Sequence, residues 1–211
     1  MTIRYNIEPD REALAEVTAL FEFLGGNTRN ANRIAINRTG PKVRTRASQA
    51  IRSQVRLKAG YVNQRLKFTR ASNFNLNAKI SAPSRGLLLT RYSTDTLISG
   101  DKVSWIKPPP VPARGIRVKV KPTGPIKVVR GDPETDGSPF YMVLGNGVLA
   151  IAGRRKTPGP RGGKIKVFFA PSLSQVWTDV KDDVLPEAGD ILTSEMADTI
   201  RYLLRKQLPS E

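Results

Sequence analysis

Three places in the chain carry residue types that can do chemistry. Ser172 and Ser174 are potential nucleophiles, Asp179, Asp182 and Asp183 are potential metal ligands, and GRRKTPGPRGG (Gly153 to Gly163) is a potential phosphate cradle. None survives inspection of its surroundings. The serines have no histidine anywhere to activate them. The three carboxylates read as the solvated face of a helix. The glycine-rich run has the spacing of neither GxxxxGK[ST] nor GxGxxG. The tripeptide Arg130-Gly131-Asp132 is too short to be informative. The absence of cysteine excludes disulfides, thiol catalysis and Cys-ligated metals; the absence of histidine removes the usual acid–base group at neutral pH. The expectation is a protein that is not an enzyme and holds no cofactor or metal.

What remains is charge. Thirty-five basic residues face 18 acidic ones, a formal +17, which implies an anionic partner, nucleic acid or an acidic protein surface. The charge is uneven. Residues 1–22 hold five acids and two bases, residues 23–94 fifteen bases and no acid, residues 95–170 fourteen bases and five acids, and residues 171–211 four bases and eight acids. A basic body thus lies between two acidic ends, able to meet one another between copies or within one chain. The densest stretch is KVRTRASQAIRSQVRLKAGYVNQRLKF, Lys42 to Phe68, with eight bases and no acid. Helix surfaces usually mix signs; this one can only repel itself. Lys42, Arg44, Arg46, Arg52, Arg56, Lys58 and Arg65 are therefore the candidate anion-facing residues, toward phosphates or partner carboxylates. Nearby stacking residues are limited to Tyr61, Phe68 and Phe74, so a single-strand platform is not indicated.

The elements that position these residues follow from periodicity. Helices are expected over 10–24, 28–39 and 41–66, with Gly40-Pro41 separating the last two. Val43, Ala47, Ile51 and Val55 form an i,i+4 apolar row, so the basic side faces elsewhere. Near residue 75 the period changes from about 3.6 to 2. LNAKISA, GLLLTRYS, GIRVKVKP, IKVVR, FYMVLGNGVLAIAGR and KIKVFFA read as strands, with Ile116, Val118 and Val120 pointing one way and Arg117, Lys119 and Lys121 the other. Asn146-Gly147 marks a hairpin turn. SGDKVSWIKPPPVPA, RGDPETDGSP and GRRKTPGPRGGK read as arms that order against neighbours, notably 104–113 and 153–163. The C-terminal segment is helical over 172–208, with Ser172 as cap, a junction at Pro186 and a stripe of Ile191, Met196, Ile200, Leu203 and Leu204. The expected fold is one α+β domain over 1–211, helical at 10–66, strand-rich at 75–170, its helices packed on an antiparallel or mixed sheet. No signal peptide or apolar run of spanning length is evident, so no membrane contact is expected.

NRTGPKVRTRASQAIRSQVRLKAGYVNQRLKF resembles the N-terminal signature of the prophage minor tail protein Z family, and GGKIKVFFAPSLSQVW its C-terminal one. RGLLLTRYS, GIRVKVKP and FYMVLGNGVLAIAGR fall between them in the family's order, so the resemblance spans roughly residues 28–180. IKPPPVPARG and GDPETDG have no place in that pattern. The resemblance implies a virion protein of the phage tail or neck, assembled in the host cytoplasm. It implies tail completion at the head-proximal end, with tail terminator, head–tail connector and tail tube as partners. A homo-hexameric ring and contact with genomic double-stranded DNA in the channel are implied too, and no active site. The alternatives are a standalone, sequence-nonspecific nucleic-acid-binding protein and a tail terminator.

Overall fold

A computed structural model describes residues 4–7, 18, 28–95, 106–131, 134–159 and 164–207. The helix expected over 10–24 lies outside these residues but for Thr18. The described elements, in chain order, are β1 (Arg4–Ile7), α1 (Thr28–Gln54), α2 (Ala59–Arg65), β2 (Lys67–Thr69), β3 (Ala78–Ser81) and β4 (Leu87–Leu88). After a 3-10 turn at Leu89–Tyr92 come β5 (Arg117–Val118), β6 (Lys127–Val128), β7 (Thr135–Val143), β8 (Leu149–Arg155), β9 (Ile165–Val167), β10 (Phe169–Ala170) and α3 (Leu173–Gln207). The fold is α+β, and every described strand pairing is antiparallel. The strands are shared among small sheets, β1-β3-β2, β10-β4, β5-β6 and β7-β8-β9.

The chain divides into two compact units. The first comprises Met1–Ile51, Lys58–Ser84 and Leu173–Glu211; the second comprises Arg52–Leu57 and Arg85–Ser172.

In the first unit, α1 does not stop at Gly40-Pro41. It runs unbroken from Thr28 to Gln54. The expected break is corrected by two local facts. A Cβ on Gly40 would fall inside the Phe68 ring, so the glycine is a notch for an aromatic side chain rather than a stop. Pro41 deprives the Asn37 carbonyl of its helical donor, but Asn37 anchors its turn otherwise. Its side chain donates to the Ala71 carbonyl and accepts from the Ala71 N–H, both at 2.9 Å. The real break comes later, at Val55–Lys58, before α2. Small residues line the buried side of α1, among them Ala31, Ala35, Gly40 and Ala47. Ala35 and Ile36 pack with Ala71, Ala78, Leu192 and Met196, with Phe68 and Leu76 closing the cluster.

α3 runs through Pro186 without the expected junction. Pro186 and Asp182 are exposed, so the carbonyl that the proline leaves without a donor faces water. The buried row is Leu173, Val176, Trp177, Val180, Val184, Ala188, Leu192 and Met196. Leu192 takes the buried place expected for Ile191, and Glu195 and Thr199 are buried among the apolar residues.

In the second unit, Ile116 and Val118 are buried and Arg117 exposed, as alternation requires. The β7–β8 turn has its left-handed residue at Gly147 (φ 75°) alone. The Gly147 N–H donates to the Leu144 carbonyl at 2.8 Å, and Asn146 uses its side chain to accept from the Val148 N–H at 3.2 Å. GLLLTRYS is only briefly a strand. Leu89–Tyr92 turns, because Thr90 donates its hydroxyl to the Leu149 carbonyl at 2.9 Å. The segment expected as an acidic loop also changes. β7 begins at Thr135 and absorbs Pro139 at a register shift between Asp136 and Phe140, where a strand tolerates proline. Glu134 holds its start by bonding Arg155 at 3.3 Å and Lys166 at 2.9 Å. β8 continues to Arg155, so the glycine-rich arm starts beyond it.

Candidate functional site

α1 carries Arg29, Arg33, Arg38, Lys42, Arg44, Arg46 and Arg52, and no acid. Like charges at helical spacing each cost a few tenths of a kcal/mol. Part of the compensation comes from within the first unit. α3 carries Asp179, Asp182, Asp183, Glu187, Asp190, Glu195 and Asp198. Arg46 pairs with Glu187 at 3.3 Å, Lys42 pairs with Glu195, and the Arg38 guanidinium lies 5.8 Å from the centre of the Tyr202 ring. As these contacts descend α1 they ascend α3, so the two helices run antiparallel.

The pairs differ in weight. Arg46 and Glu187 are both about half exposed, and such a pair contributes about 0–1 kcal/mol. Glu195 keeps only 9% of its side chain exposed while Lys42 keeps 60%. A nearly buried carboxylate needs its cation far more than an exposed cation needs it.

The remaining sequence-predicted residues are spread over three elements. Arg44 is half-buried on α1, and Arg52, also half-buried, sits in its last turn. Arg56 lies beyond the helix end, its side chain exposed and its N–H bonded to the Val120 carbonyl at 2.7 Å. The helix expected through residue 66 is therefore corrected at this point: α1 has ended at Gln54, and Arg56 is not on it. Lys58 is exposed at the N-terminal flank of α2, and Arg65 is exposed on α2 with its guanidinium 5.3 Å from the Tyr61 ring centre. The acidic partners Glu187 and Glu195 were not singled out from sequence; the one signal for them was the excess of acid after residue 171.

The other candidate groups are placed as follows. Asp179, Asp182 and Asp183 are exposed on α3, and among the described residues no three metal-ligating side chains converge. Ser172 and Ser174 are buried at the start of α3, where the Ser174 N–H donates to the Pro83 carbonyl at 3.2 Å. Arg130 is exposed, and Asp132 lies outside the described residues, as do residues 160–163 of the glycine-rich run. In the second unit, burial pushes the Tyr141 hydroxyl above its ordinary pKa; the Ser93 side chain draws it back in part and Asp95 raises it further. Among the described residues no helix is long and apolar enough to cross a membrane.

The fold is α+β, and its main distinguishing chemistry is an unbalanced positive charge. The family model for prophage minor tail protein Z (GPZ) matches residues 25–209, beyond both ends of the quoted motifs and through the whole of α3. The chain belongs to that family: it is a structural protein of a phage tail, and so a component of the virion and a partner of other tail proteins. Searches of curated proteins and of solved structures returned no match.

Proposed function

We propose that this protein completes the tail at its head-proximal end, in the neck, where it joins the tail to the head connector and contacts the DNA channel as a ring of six copies. The observation that carries the reading is the surplus of positive charge. α3 answers Lys42 and Arg46 of α1, yet a formal +17 remains on the chain. Arg44, Arg52, Arg56, Lys58 and Arg65 are the candidates for phosphates of double-stranded DNA or for carboxylates of the tail terminator, connector and tail tube. Phosphate contacts of this kind are blind to sequence and weaken steeply with salt. The proline-rich arm supports the ring. Ile106 is 96% exposed and Val111 is also open to water; neighbouring copies would bury both.

The reading is tested by joining in vitro. Tails from infected cells lacking this protein are mixed with filled heads, with and without the purified chain. The expected result is a large rise in infectious particles when the chain is added. No rise, with tails and heads separately competent, overturns it.

A further inference from the structure

Among the described residues, the basic part of the first unit holds the aromatic residues Tyr61, Phe68 and Phe74, and the fold uses two of them. Phe68 fills the notch at Gly40, and Tyr61 is half-buried with the Arg65 guanidinium beside it. Phe74 is 96% exposed. Leaving such a ring in water forgoes the gain of burying it. The ring sits on a built tip, the connection between β2 and β3. The Ser72 N–H donates to the Asn75 carbonyl at 2.7 Å, and the Asn75 N–H donates to Ser72 Oγ at 3.1 Å. The Asn77 N–H donates to Asn75 Oδ1 at 2.9 Å, while Asn37 of α1 clamps Ala71 at the root through both backbone groups.

The surroundings select the partner. No acid occurs anywhere in residues 23–94, against fifteen bases. In the β2–β3 register Lys67 faces Ser81 and Thr69 faces Lys79, so both lysines lie on the face opposite buried Ile80. Arg70 is exposed at the base of the tip, and Asn73 and Asn77 are exposed on the same tip as the ring. A basic hairpin ending in amides and one apolar ring has the composition of a minor-groove wedge. Cations take phosphates, amides meet groove-edge acceptors, and the ring opens one base step. One ring cannot stack successive bases of a single strand. An acidic protein surface would satisfy the cations but not the ring.

We propose that the β2–β3 hairpin is a contact for duplex DNA, with Phe74 inserted between neighbouring base pairs. This rests on the reading of the protein as a neck component at the DNA channel, and adds to it a grip that resists sliding of the duplex.

The test uses the purified full-length protein and an end-labelled duplex of about 30 base pairs, short enough to behave as a stiff rod unless kinked. Affinity and end-to-end energy transfer are read at two salt concentrations. Wild type is expected to bind in a salt-dependent way and to draw the ends together. Phe74→Ala, outside the core and checked by circular dichroism, is expected to weaken binding about 10-fold, the worth of one stacked ring. It should lose the bend and keep the salt slope. Phe74→Leu retains an apolar wedge and is expected to keep much of the bend. Lys67→Ala with Arg70→Ala is expected to lower the salt slope by about two phosphate contacts with the bend retained. If Phe74→Ala binds and bends as wild type does, the wedge is refuted while DNA contact stands. If wild type binds no duplex, both the wedge and the DNA contact fail, though joining of heads to tails can still succeed. If Phe74→Ala instead lowers self-association or binding to tails, the ring is a protein anchor and the proposal is overturned.

Discussion

The ammonium of Lys42 on α1 is paired with the carboxylate of Glu195, which α3 holds almost out of water. The pair answers how a helix with seven bases and no acid sits stably in the fold: an acidic helix from the far end of the chain lies against it. The two partners are unequal. Lys42→Ala strands a nearly buried carboxylate and is expected to destabilise by about 1–3 kcal/mol, below the loss for a fully buried pair because Lys42 reaches water. Glu195→Gln leaves a solvated lysine and a neutral amide, and is expected to cost less. Denaturant unfolding of the two single variants and the double variant measures this; equal losses for both would contradict the asymmetry.

Gly40→Ala is expected to destabilise the protein although alanine is the better helix former by about 1 kcal/mol. The new methyl enters the Phe68 ring, and overpacking of this kind costs about 1–3 kcal/mol. Thermal unfolding of Gly40→Ala, alone and with Phe68→Leu, checks the cause. The smaller side chain should recover part of the loss, and an unchanged or higher Tm for the single variant would refute the notch.

Pro186→Ala is expected to stabilise α3 by about 1–3 kcal/mol, since it restores a backbone donor inside a continuous helix at an exposed position. Chemical denaturation with helix content followed by circular dichroism is the measurement. A loss of stability would mean that the proline is needed as a bend.

These positions also show what local pattern could and could not convey. Val43, Ala47 and Ile51 are buried on α1 as their spacing requires, with Val55 buried just past its end. The alternation of Ile116, Arg117 and Val118, which fades at half-buried Lys119 and Val120, and the turn at Asn146-Gly147 are equally local. Gly40-Pro41 and Pro186 misled because their meaning is tertiary: one accommodates Phe68 from another element, and the other faces water. The α3 stripe expected at Ile191 falls one residue later, at Leu192, because buried Glu195 and Thr199 interrupt the apolar row. The pairing of Lys42 with Glu195 was visible only as opposite charge in distant segments. Nothing in the sequence separated Phe74, left in water, from Phe68, taken into the core.

The Tyr141 hydroxyl, pushed up chiefly by burial, gives the second unit an alkaline limit. An acid whose folded pKa exceeds its unfolded value near 10 stabilises fully below that value. Its contribution is lost as pH rises above about 10, where the unfolded chain releases the proton first. Stability measured from pH 8 to 11 should therefore fall at the upper end, and Tyr141→Phe should fall less steeply. Identical slopes would show that other groups set the limit.

The most direct measurement of the central claim is electron microscopy of particles assembled in cells that lack this protein. A protein that completes the tail at its head-proximal end leaves DNA-filled heads and full-length tails as separate structures when it is missing, and the account predicts that mixture. Intact, infectious particles in normal numbers would contradict it.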